Sequence, residues 1–215
     1  MKGIIFDLDG VLLSTDELHY RAWKKIADKL GIPFDRKIND RLRGVSREAS
    51  FEIILEKYSG KLGETEKREY CNEKNEFYKE LLHTLSRDAV EKEVRNTLSQ
   101  LHDMGYRLAI GSSSKNARLI LERTELTEYF DAISDGNNIR KSKPDPEVFL
   151  KAVEYLFLKP SECFVVEDAE AGLKAAEAGG FTPIGIRVSG KSPYARYSIF
   201  RFSALTEIAL ENQTE

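Results

Sequence analysis

From about residue 90 onward, the sequence alternates between helical patterns and short apolar runs, and this alternation restricts the possible folds more than any other feature. The helical patterns cover residues 91–104, 116–125, 146–156 and 169–178. Each leads into one short apolar run: YRLAIGSSS, FDAIS, CFVVED or TPIGIRV. Short continuous apolar runs are typical of strands buried on both faces, and such alternation indicates parallel strands joined by helices. With the amino-terminal GIIFDLDG as a further strand, we predict an α/β fold: a Rossmann-like parallel-sheet core with helices on both faces.

A purely helical block separates the first predicted strand from the rest of the alternating pattern. Its first helix, in STDELHYRAWKKIADKLGIP, has Ser14 at a capping-box position, with a glutamate three residues later. A second helix follows the predicted cap Ser46, and a third lies in EKREYCNEKNEFYKELLHTL. We therefore predict an inserted helical cap domain over residues 14–86, with a catalytic core formed by residues 1–13 and 87–215.

The composition restricts the class of protein and the kind of partner. The chain has 215 residues, 41% of them hydrophobic and 32% charged, with a formal net charge of −3. No apolar run approaches the length of a membrane span, and the first residues enter a strand rather than a signal peptide. The mildly acidic balance, without a basic block, argues against nucleic acid. Cys71 and Cys163 have no metal-ligand neighbours and imply no disulfide framework. We expect a cytoplasmic monomer that binds neither nucleic acid nor membrane.

Polar residues follow several of the predicted strands. These residues are Asp7, Asp9, Ser112, Ser113, Glu167 and Asp168. A lysine, Lys143, lies in the loop KSKPDP before the next predicted helix. Ligands of open α/β sheets bind at the carboxyl ends of the strands, so all of these groups could meet at one edge of the sheet.

The residue types at this edge fit phosphoryl-transfer chemistry. Carboxylates and water suit Mg²⁺, which also takes phosphate oxygens. Ser112, with the backbone N–H groups at the start of the next helix, suits a phosphate group, and Lys143 adds a positive charge for it. An aspartate such as Asp7 can act as the nucleophile and form an aspartyl phosphate. Asp9 can then serve as general acid and base, provided that a kink at Gly10 turns both carboxylates towards the pocket.

Each of these residues also has a simpler explanation. Asp-Gly pairs are common in turns, and a serine after a strand is usually a helix cap. Lys143 before a proline could be a solvated loop lysine, and Glu167–Asp168 could be a polar turn. The conjunction of all these residues, in this order along an α/β pattern, favours the functional interpretation more strongly than any one of them does.

Four segments resemble the four motifs of the haloacid dehalogenase superfamily of phosphotransferases: FDLDGVLLST, IGSSSKN, KSKPDP and VVEDAEAG. They span essentially the whole core. The helical block resembles the cap of the β-phosphoglucomutase group in TDELHYRAWKKIADKLGIPF, RLRGVSREAS and EKNEFY. Two departures are Ala169, where this group often has serine, and the stretch SGKSPYARYSIFRFSAL, which matches poorly. The second departure leaves the last strand and helix undefined without touching the chemistry.

The resemblance implies a role for each core residue. Asp7 would be the nucleophile and an Mg²⁺ ligand, and Asp9 the general acid and base, with its carbonyl oxygen also on Mg²⁺. Glu167 and Asp168 would complete the metal site. The transferring phosphate would be bound by Ser112, Ser113 and Lys143.

The resemblance also implies a set of substrate-binding residues. Thr15, His19 and Lys74 would belong to the hinge and the cap and would position Asp9 or the sugar. Arg47 would clamp the non-transferring phosphate through paired hydrogen bonds. The full set is Thr15, His19, Trp23, Gly44, Val45, Ser46, Arg47, Lys74, Ser114 and Asn116.

These roles imply a mutase that interconverts β-D-glucose 1-phosphate and glucose 6-phosphate through an aspartyl phosphate. Mg²⁺ would be the cofactor and β-glucose 1,6-bisphosphate the intermediate and activator. The first alternative is an Mg-dependent phosphatase of sugar phosphates or other small phosphomonoesters, which differs only in whether water reaches the phosphoenzyme. A non-catalytic phosphosugar sensor is the third alternative. The intact set of Asp7, Asp9, Lys143 and Asp168 argues against it, because a sensor has no use for a nucleophile.

Overall fold

Six strands of the described residues form a single parallel sheet, as the alternating pattern predicts. They are β1 (Gly3–Phe6), β2 (Arg107–Gly111), β3 (Ala132–Ser134), β4 (Cys163–Glu167), β5 (Thr182–Ile186) and β6 (Tyr197–Ile199). Their order across the sheet is β3-β2-β1-β4-β5-β6, so the amino-terminal strand lies between two later ones. The edge strand β6 lies in the stretch SGKSPYARYSIFRFSAL, which matches the family pattern poorly. The sequence does not predict its place in the sheet.

The computed structural model describes residues 1–42, 45–188 and 192–212. Two compact units make up the chain: residues 1–14 with 85–215, which contain the sheet, and residues 15–84. The helices of the described residues are α1 (Asp16–Lys29), α2 (Arg36–Asp40), α3 (Arg47–Leu55), α4 (Glu64–Leu82), α5 (Lys92–Asp103), α6 (Ala117–Arg123), α7 (Glu147–Tyr155), α8 (Glu170–Ala178) and α9 (Ala204–Glu211).

The sheet of the first unit is covered on both faces. Because successive side chains of a strand point to opposite faces, Ile5 and Phe6 of β1 face different layers. Ile5 belongs to an apolar cluster with Phe149 of α7 and with residues of α8. Phe6 stacks on Phe202, just before α9, with the ring centroids 5.7 Å apart. This double burial is why β1 reads as a continuous apolar run, and it confirms the predicted core architecture.

The second unit is built from α1 to α4 around its own apolar core. Trp23 of α1 stacks on Phe51 of α3 with 5.7 Å between ring centroids, and Ile26 and Ile54 are buried beside them. Cys71 of α4 lies in the same core as a free, buried thiol. The helical spacing of these residues brings their apolar faces together, as expected for amphipathic helices.

The helix starts in this unit confirm one predicted cap and correct another. The Ser46 hydroxyl accepts a hydrogen bond from the Ala49 N–H at 3.2 Å, so Ser46 caps α3. At the start of α1 the predicted cap Ser14 is wrong: the capping position is Thr15, and its side chain makes no capping hydrogen bond. A hydrogen bond from the Tyr78 hydroxyl occupies the Thr15 oxygen instead. Among the helices described, none is both long and apolar enough to cross a membrane.

Candidate active site

Asp7 directly follows β1 and lies level with the last residue of β4. Phe6 pairs with Val166, and the Asp7 N–H donates a 3.0 Å hydrogen bond to the Val166 carbonyl. Glu167 ends β4 and is 1% exposed, while Asp7 is 8% exposed. The parallel register therefore brings two buried carboxylates together at the carboxyl edge of the sheet.

Lys143 joins these two carboxylates. Its Nζ lies 2.5 Å from Oδ1 of Asp7 and 2.5 Å from Oε1 of Glu167. The ammonium group also lies 4.7 Å from the centre of the Phe149 ring. Burial opposes the charged form of Lys143, but the Asp7 and Glu167 carboxylates outweigh that effect and raise its pKa. Lys143 is therefore a buried cation rather than a solvated loop residue.

A third carboxylate, that of Asp168, completes a group suited to a metal ion. Asp7, Glu167 and Asp168 each offer an oxygen, and these oxygens all lie within 4.8 Å of one another. Burial, followed by the charges of Glu167 and Asp7, raises the pKa of Asp168 to about 7. A hard divalent cation would remove this repulsion, and an all-oxygen donor set is what Mg²⁺ binds. The donor set thus fits the predicted Mg²⁺.

Two glycines make room for these carboxylates. Gly10 has φ +81°, and a Cβ at this position would overlap the carboxylate of Asp168. Gly172 lies within α8, where a Cβ would be 2.6 Å from Cγ of Glu167 and would overlap its carboxylate. A kink at Gly10 is the condition under which the sequence allows both Asp7 and Asp9 to face the pocket. Gly172 is not among the predicted site residues, although a glycine inside a helix conflicts with local propensity and can signal a close approach.

Asp9 leaves the line of the strand. It follows the buried Leu8 and forms an isolated bridge with Leu13, so β1 does not continue through it. Among the described residues, the group that fits a metal does not include the Asp9 carboxylate. Its charge contributes to the raised pKa of Asp168, although less than burial does. The Asp9 carboxylate is therefore close to the site without being part of the three-carboxylate group.

The serines after β2 form a tight loop held by its own hydrogen bonds. Ser112 is 3% exposed, and its hydroxyl accepts from the Ser114 N–H at 3.2 Å. The Ser114 hydroxyl in turn accepts from the N–H of Asn116, the residue before α6, at 3.2 Å. The Ser113 hydroxyl is buried without a hydrogen-bond partner among the residues that the structure describes. Because Phe6 pairs with Ile110, the loop begins near the level of Asp7.

In the second unit, α1 and α4 bring together four of the predicted residues. Thr15, His19 and Trp23 recur every four residues and share one face of α1. Lys74 of α4 is 3% exposed, and its Nζ lies 2.9 Å from Nδ1 of His19 and 5.1 Å from the centre of the Trp23 ring. Because the ammonium group can only donate, Nδ1 of a neutral His19 is the acceptor and Nε2 carries the proton. Burial first, then the charges of Lys74 and Arg47, hold the pKa of His19 well below its usual value.

The remaining predicted residues of this unit surround the start of α3. Arg47 is its first residue, and its guanidinium donates to Oδ1 of Asn75 at 2.7 Å. Val45 is 37% exposed, and Ser46 is the helix cap described above. The predicted residue Gly44 lies outside the described residues. A helix start with an arginine at its first position favours anions, because the partial positive charge of the helix N-terminus and the charge of the guanidinium have the same sign.

Comparison with known proteins identifies the family of this chain. Residues 4–186 match the model of the haloacid dehalogenase-like hydrolases. The chain belongs to this family. The match covers β1 to β5, except for the first residue of β1, and the whole second unit, so it includes every predicted site residue.

Members of the haloacid dehalogenase-like family with a described activity include a mutase and phosphatases. A β-phosphoglucomutase of Bacillus subtilis is 41% identical over 86% of this chain and 83% of that protein. A phosphorylated carbohydrates phosphatase of Thermotoga maritima is 30% identical over 86% of this chain and 84% of that protein. A crystal structure of a β-phosphoglucomutase from Clostridium difficile covers 98% of this chain and 96% of its own, with a TM-score of 0.87 at 32% identity. The chain is therefore an enzyme, a mutase or a phosphatase.

Proposed function

We propose that the chain is a β-phosphoglucomutase that interconverts β-D-glucose 1-phosphate and glucose 6-phosphate through β-glucose 1,6-bisphosphate. The second unit, residues 15–84, would act as the cap domain. The observation that carries the proposal is that each unit has a group suited to phosphate. In the first unit it is Lys143 with the serine loop, and in the second it is Arg47 at the start of α3. A bisphosphate needs two such groups, whereas a simple phosphomonoester needs one.

In the proposed reaction, an Asp7 carboxylate oxygen attacks the phosphorus on the C1 oxygen of β-glucose 1,6-bisphosphate, the bond from that phosphorus to the C1 oxygen breaks, and glucose 6-phosphate leaves. Asp9 gives its proton to the departing sugar oxygen. In the second half, Asp9 takes the proton from the 6-hydroxyl of an incoming β-glucose 1-phosphate, whose oxygen attacks the phosphorus of the aspartyl phosphate, forms β-glucose 1,6-bisphosphate again and releases Asp7. Lys143, already 2.5 Å from Oδ1 of Asp7, holds the nucleophile and offsets charge on the phosphoryl oxygens.

Asp7, Glu167 and Asp168 would hold Mg²⁺ beside this nucleophile. When bound, Mg²⁺ would neutralise the crowded carboxylates and offset the negative charge of the phosphate. Ser112 and Ser113 would contribute their hydroxyl groups to the same phosphate. The Ser112 N–H donates to the Ser134 carbonyl, whereas the Ser113 hydroxyl has no partner among the described residues.

A phosphatase of phosphorylated sugars is the second candidate, and the phosphatase relatives favour it. It would use the same Asp7 and Asp9, with water in place of the second sugar hydroxyl. The test is to incubate the protein with β-glucose 1-phosphate, Mg²⁺ and a trace of β-glucose 1,6-bisphosphate. The mutase forms glucose 6-phosphate with little free phosphate. Release of free phosphate without glucose 6-phosphate would overturn the proposal in favour of the phosphatase.

A further inference from the structure

Tyr78, the last residue of the EKNEFY segment, occupies the centre of the polar group in the second unit, although it is not among the predicted site residues. It lies one helical turn after Lys74 on α4, and so on the same face of that helix. The residue is 1% exposed. It contacts Thr15, His19 and Lys74, three residues to which the proposed mutase assigns the positioning of Asp9 or the sugar.

The Tyr78 hydroxyl fixes the role of the Thr15 hydroxyl. It donates to Oγ1 of Thr15 across 2.9 Å, in a bond that joins residues 63 positions apart. While it accepts this bond, the Thr15 hydroxyl can still donate its own hydrogen to another group. The bond therefore restricts the orientation of the Thr15 hydroxyl. Thr15 is wholly buried, so water cannot replace the Tyr78 hydroxyl at Oγ1 without a rearrangement of the packing.

The Tyr78 ring holds the other two side chains. It stacks on the His19 imidazole with 4.1 Å between ring centroids and 26° between planes. The Lys74 ammonium group lies 4.4 Å from the centre of the same ring. The negative face of an aromatic ring stabilises a nearby cation. The rings of Tyr78 and Trp23 therefore offset part of the free-energy cost of burying the Lys74 charge. The ring thereby keeps Lys74 within hydrogen-bond distance of Nδ1 of His19.

We propose that Tyr78 is a positioning residue of this enzyme: its hydroxyl orients Thr15, and its ring orients His19 and Lys74 for their work on the phosphosugar. The inference rests on the proposed function, which gives those three residues their roles. The competing explanation is that Tyr78 only fills the core between α1 and α4. Phenylalanine would fill this core equally well, so the two explanations predict different effects on catalysis when the hydroxyl oxygen of Tyr78 is removed.

The first experiment compares Tyr78→Phe with Tyr70→Phe. Tyr70 lies on the same helix, with its ring centroid 6.0 Å from that of Phe51. We expect Tyr78→Phe to lower kcat by about three- to tenfold, the usual size of one neutral hydrogen bond, with KM little changed. Tyr70→Phe should leave both constants unchanged. Circular dichroism shows whether each variant keeps its fold. Equal kinetics for the two variants would overturn the role of the Tyr78 hydroxyl.

A double-mutant cycle then tests whether the hydroxyl acts through Thr15. If it does, Tyr78→Phe adds little further loss to Thr15→Val, because the bond is already gone. Additive losses would mean that the oxygen acts elsewhere and would overturn the assignment. The cycle can be followed by release of phosphate or by formation of glucose 6-phosphate. Its outcome is therefore separate from the question of which reaction the enzyme performs.

The ring is tested without turnover, by ¹⁵N NMR of the histidine side chains in the full chain. In the parent protein His19 should be neutral with its proton on Nε2, facing the charged groups Lys74 and Arg47 of its own unit. Tyr78→Phe keeps the ring and should leave this signal unchanged. Tyr78→Leu opens the site to water and releases Lys74, so the pKa of His19 should rise towards its ordinary value. His102, whose Nε2 lies 2.6 Å from the Tyr129 carbonyl in the first unit, is the internal control.

An unchanged His19 signal in Tyr78→Leu would overturn the role of the ring while leaving the proposed mutase reaction standing. Failure to form glucose 6-phosphate, in contrast, would overturn the mutase and leave the NMR result intact. The two proposals therefore fail separately.

Discussion

Lys143 binds the proposed nucleophile Asp7 directly, with 2.5 Å between Nζ and Oδ1, although 136 residues separate them in the chain. The same ammonium group contacts Glu167, so one buried cation faces two buried carboxylates, with Asp168 beside them. An excess of negative charge in a buried place is costly unless a cation compensates it. The site is therefore built to need both the lysine and a further positive charge.

Replacement of Lys143 by methionine should make this need measurable. In Mg²⁺-free buffer we expect the free energy of unfolding to fall by about 3–5 kcal/mol, because the buried carboxylates lose their partner. Activity should fall at least as sharply. Urea unfolding measures the first effect and steady-state kinetics the second. Lys141→Met is the matched control, because Lys141 is 73% exposed in its ion pair with Asp145. Equal stability of the two variants would contradict this account of the site.

Asp7→Asn tests the nucleophile with an almost isosteric change. We expect turnover to be lost, because an amide cannot attack phosphorus, while the fold is retained. Incubation with acetyl phosphate and intact mass measurement should show a phosphoryl adduct on the parent protein and none on Asp7→Asn. Asp88→Asn, at an exposed aspartate of the first unit, should behave like the parent. Substantial activity in Asp7→Asn would remove Asp7 from the proposed mechanism.

Gly172→Ala changes a position at which helix propensity favours alanine but the neighbouring Glu167 carboxylate leaves no room for a side chain. Alanine in place of glycine inside a helix is normally favourable by roughly 1 kcal/mol. Here the added Cβ would overlap the Glu167 carboxylate, so we expect lower stability and weaker Mg²⁺ binding instead. Thermal unfolding with and without Mg²⁺ measures both. Ser99→Ala, on the exposed side of α5, adds helix propensity without a clash and should not destabilise. A stabilised, fully active Gly172→Ala would show that Glu167 tolerates the displacement.

The sequence predicts the edge of the sheet better than it predicts what fills the space around the site. Asp7 and Glu167 follow apolar runs, and the topology of parallel strands alone brings the ends of such runs to one edge. The contacts of Tyr78 depend on which faces of α1 and α4 join, and those of Lys143 depend on the path of the loop before α7; no local spacing specifies either. The predicted cap at Ser14 is wrong because the capping pattern considers only local residues. In the structure Thr15 holds the capping position, and its hydroxyl accepts a hydrogen bond from Tyr78 of a distant helix.

Metal removal should affect both activity and stability. At the proposed site, Mg²⁺ would bind only the folded arrangement of Asp7, Glu167 and Asp168. Saturating Mg²⁺ should therefore raise Tm, and a concentration one hundred times Kd should add roughly 2.7 kcal/mol. EDTA should abolish turnover and the rise in Tm together. In Asp168→Ala the rise in Tm should shrink or vanish. Full activity after exhaustive chelation would exclude Mg²⁺ from the proposed mechanism.

Arg47→Ala separates the mutase from the phosphatase, because only a bisphosphate has a second phosphate to hold. The arginine lies at the start of α3, and its hydrogen-bond acceptor there, the Asn75 amide, is neutral and leaves the positive charge uncompensated by that contact. If this charge binds the non-transferring phosphate, its binding energy also orients the sugar, so its loss should lower kcat as well as raise KM. We expect interconversion of glucose phosphates to fall by about 10²-fold or more, the cost of a lost charged hydrogen-bond pair.

Hydrolysis of acetyl phosphate is the internal reference for this variant, since that substrate has one phosphate and no sugar and should be hydrolysed almost normally. Arg41→Ala is the matched control, because Arg41 belongs to the same unit but is half exposed and paired with Glu56 at 2.6 Å. It should leave both reactions unchanged. A parallel loss of both activities in Arg47→Ala would point to damage of the unit as a whole. An unchanged rate of interconversion would show that the second phosphate is held elsewhere, and either result would count against the mutase built on Arg47.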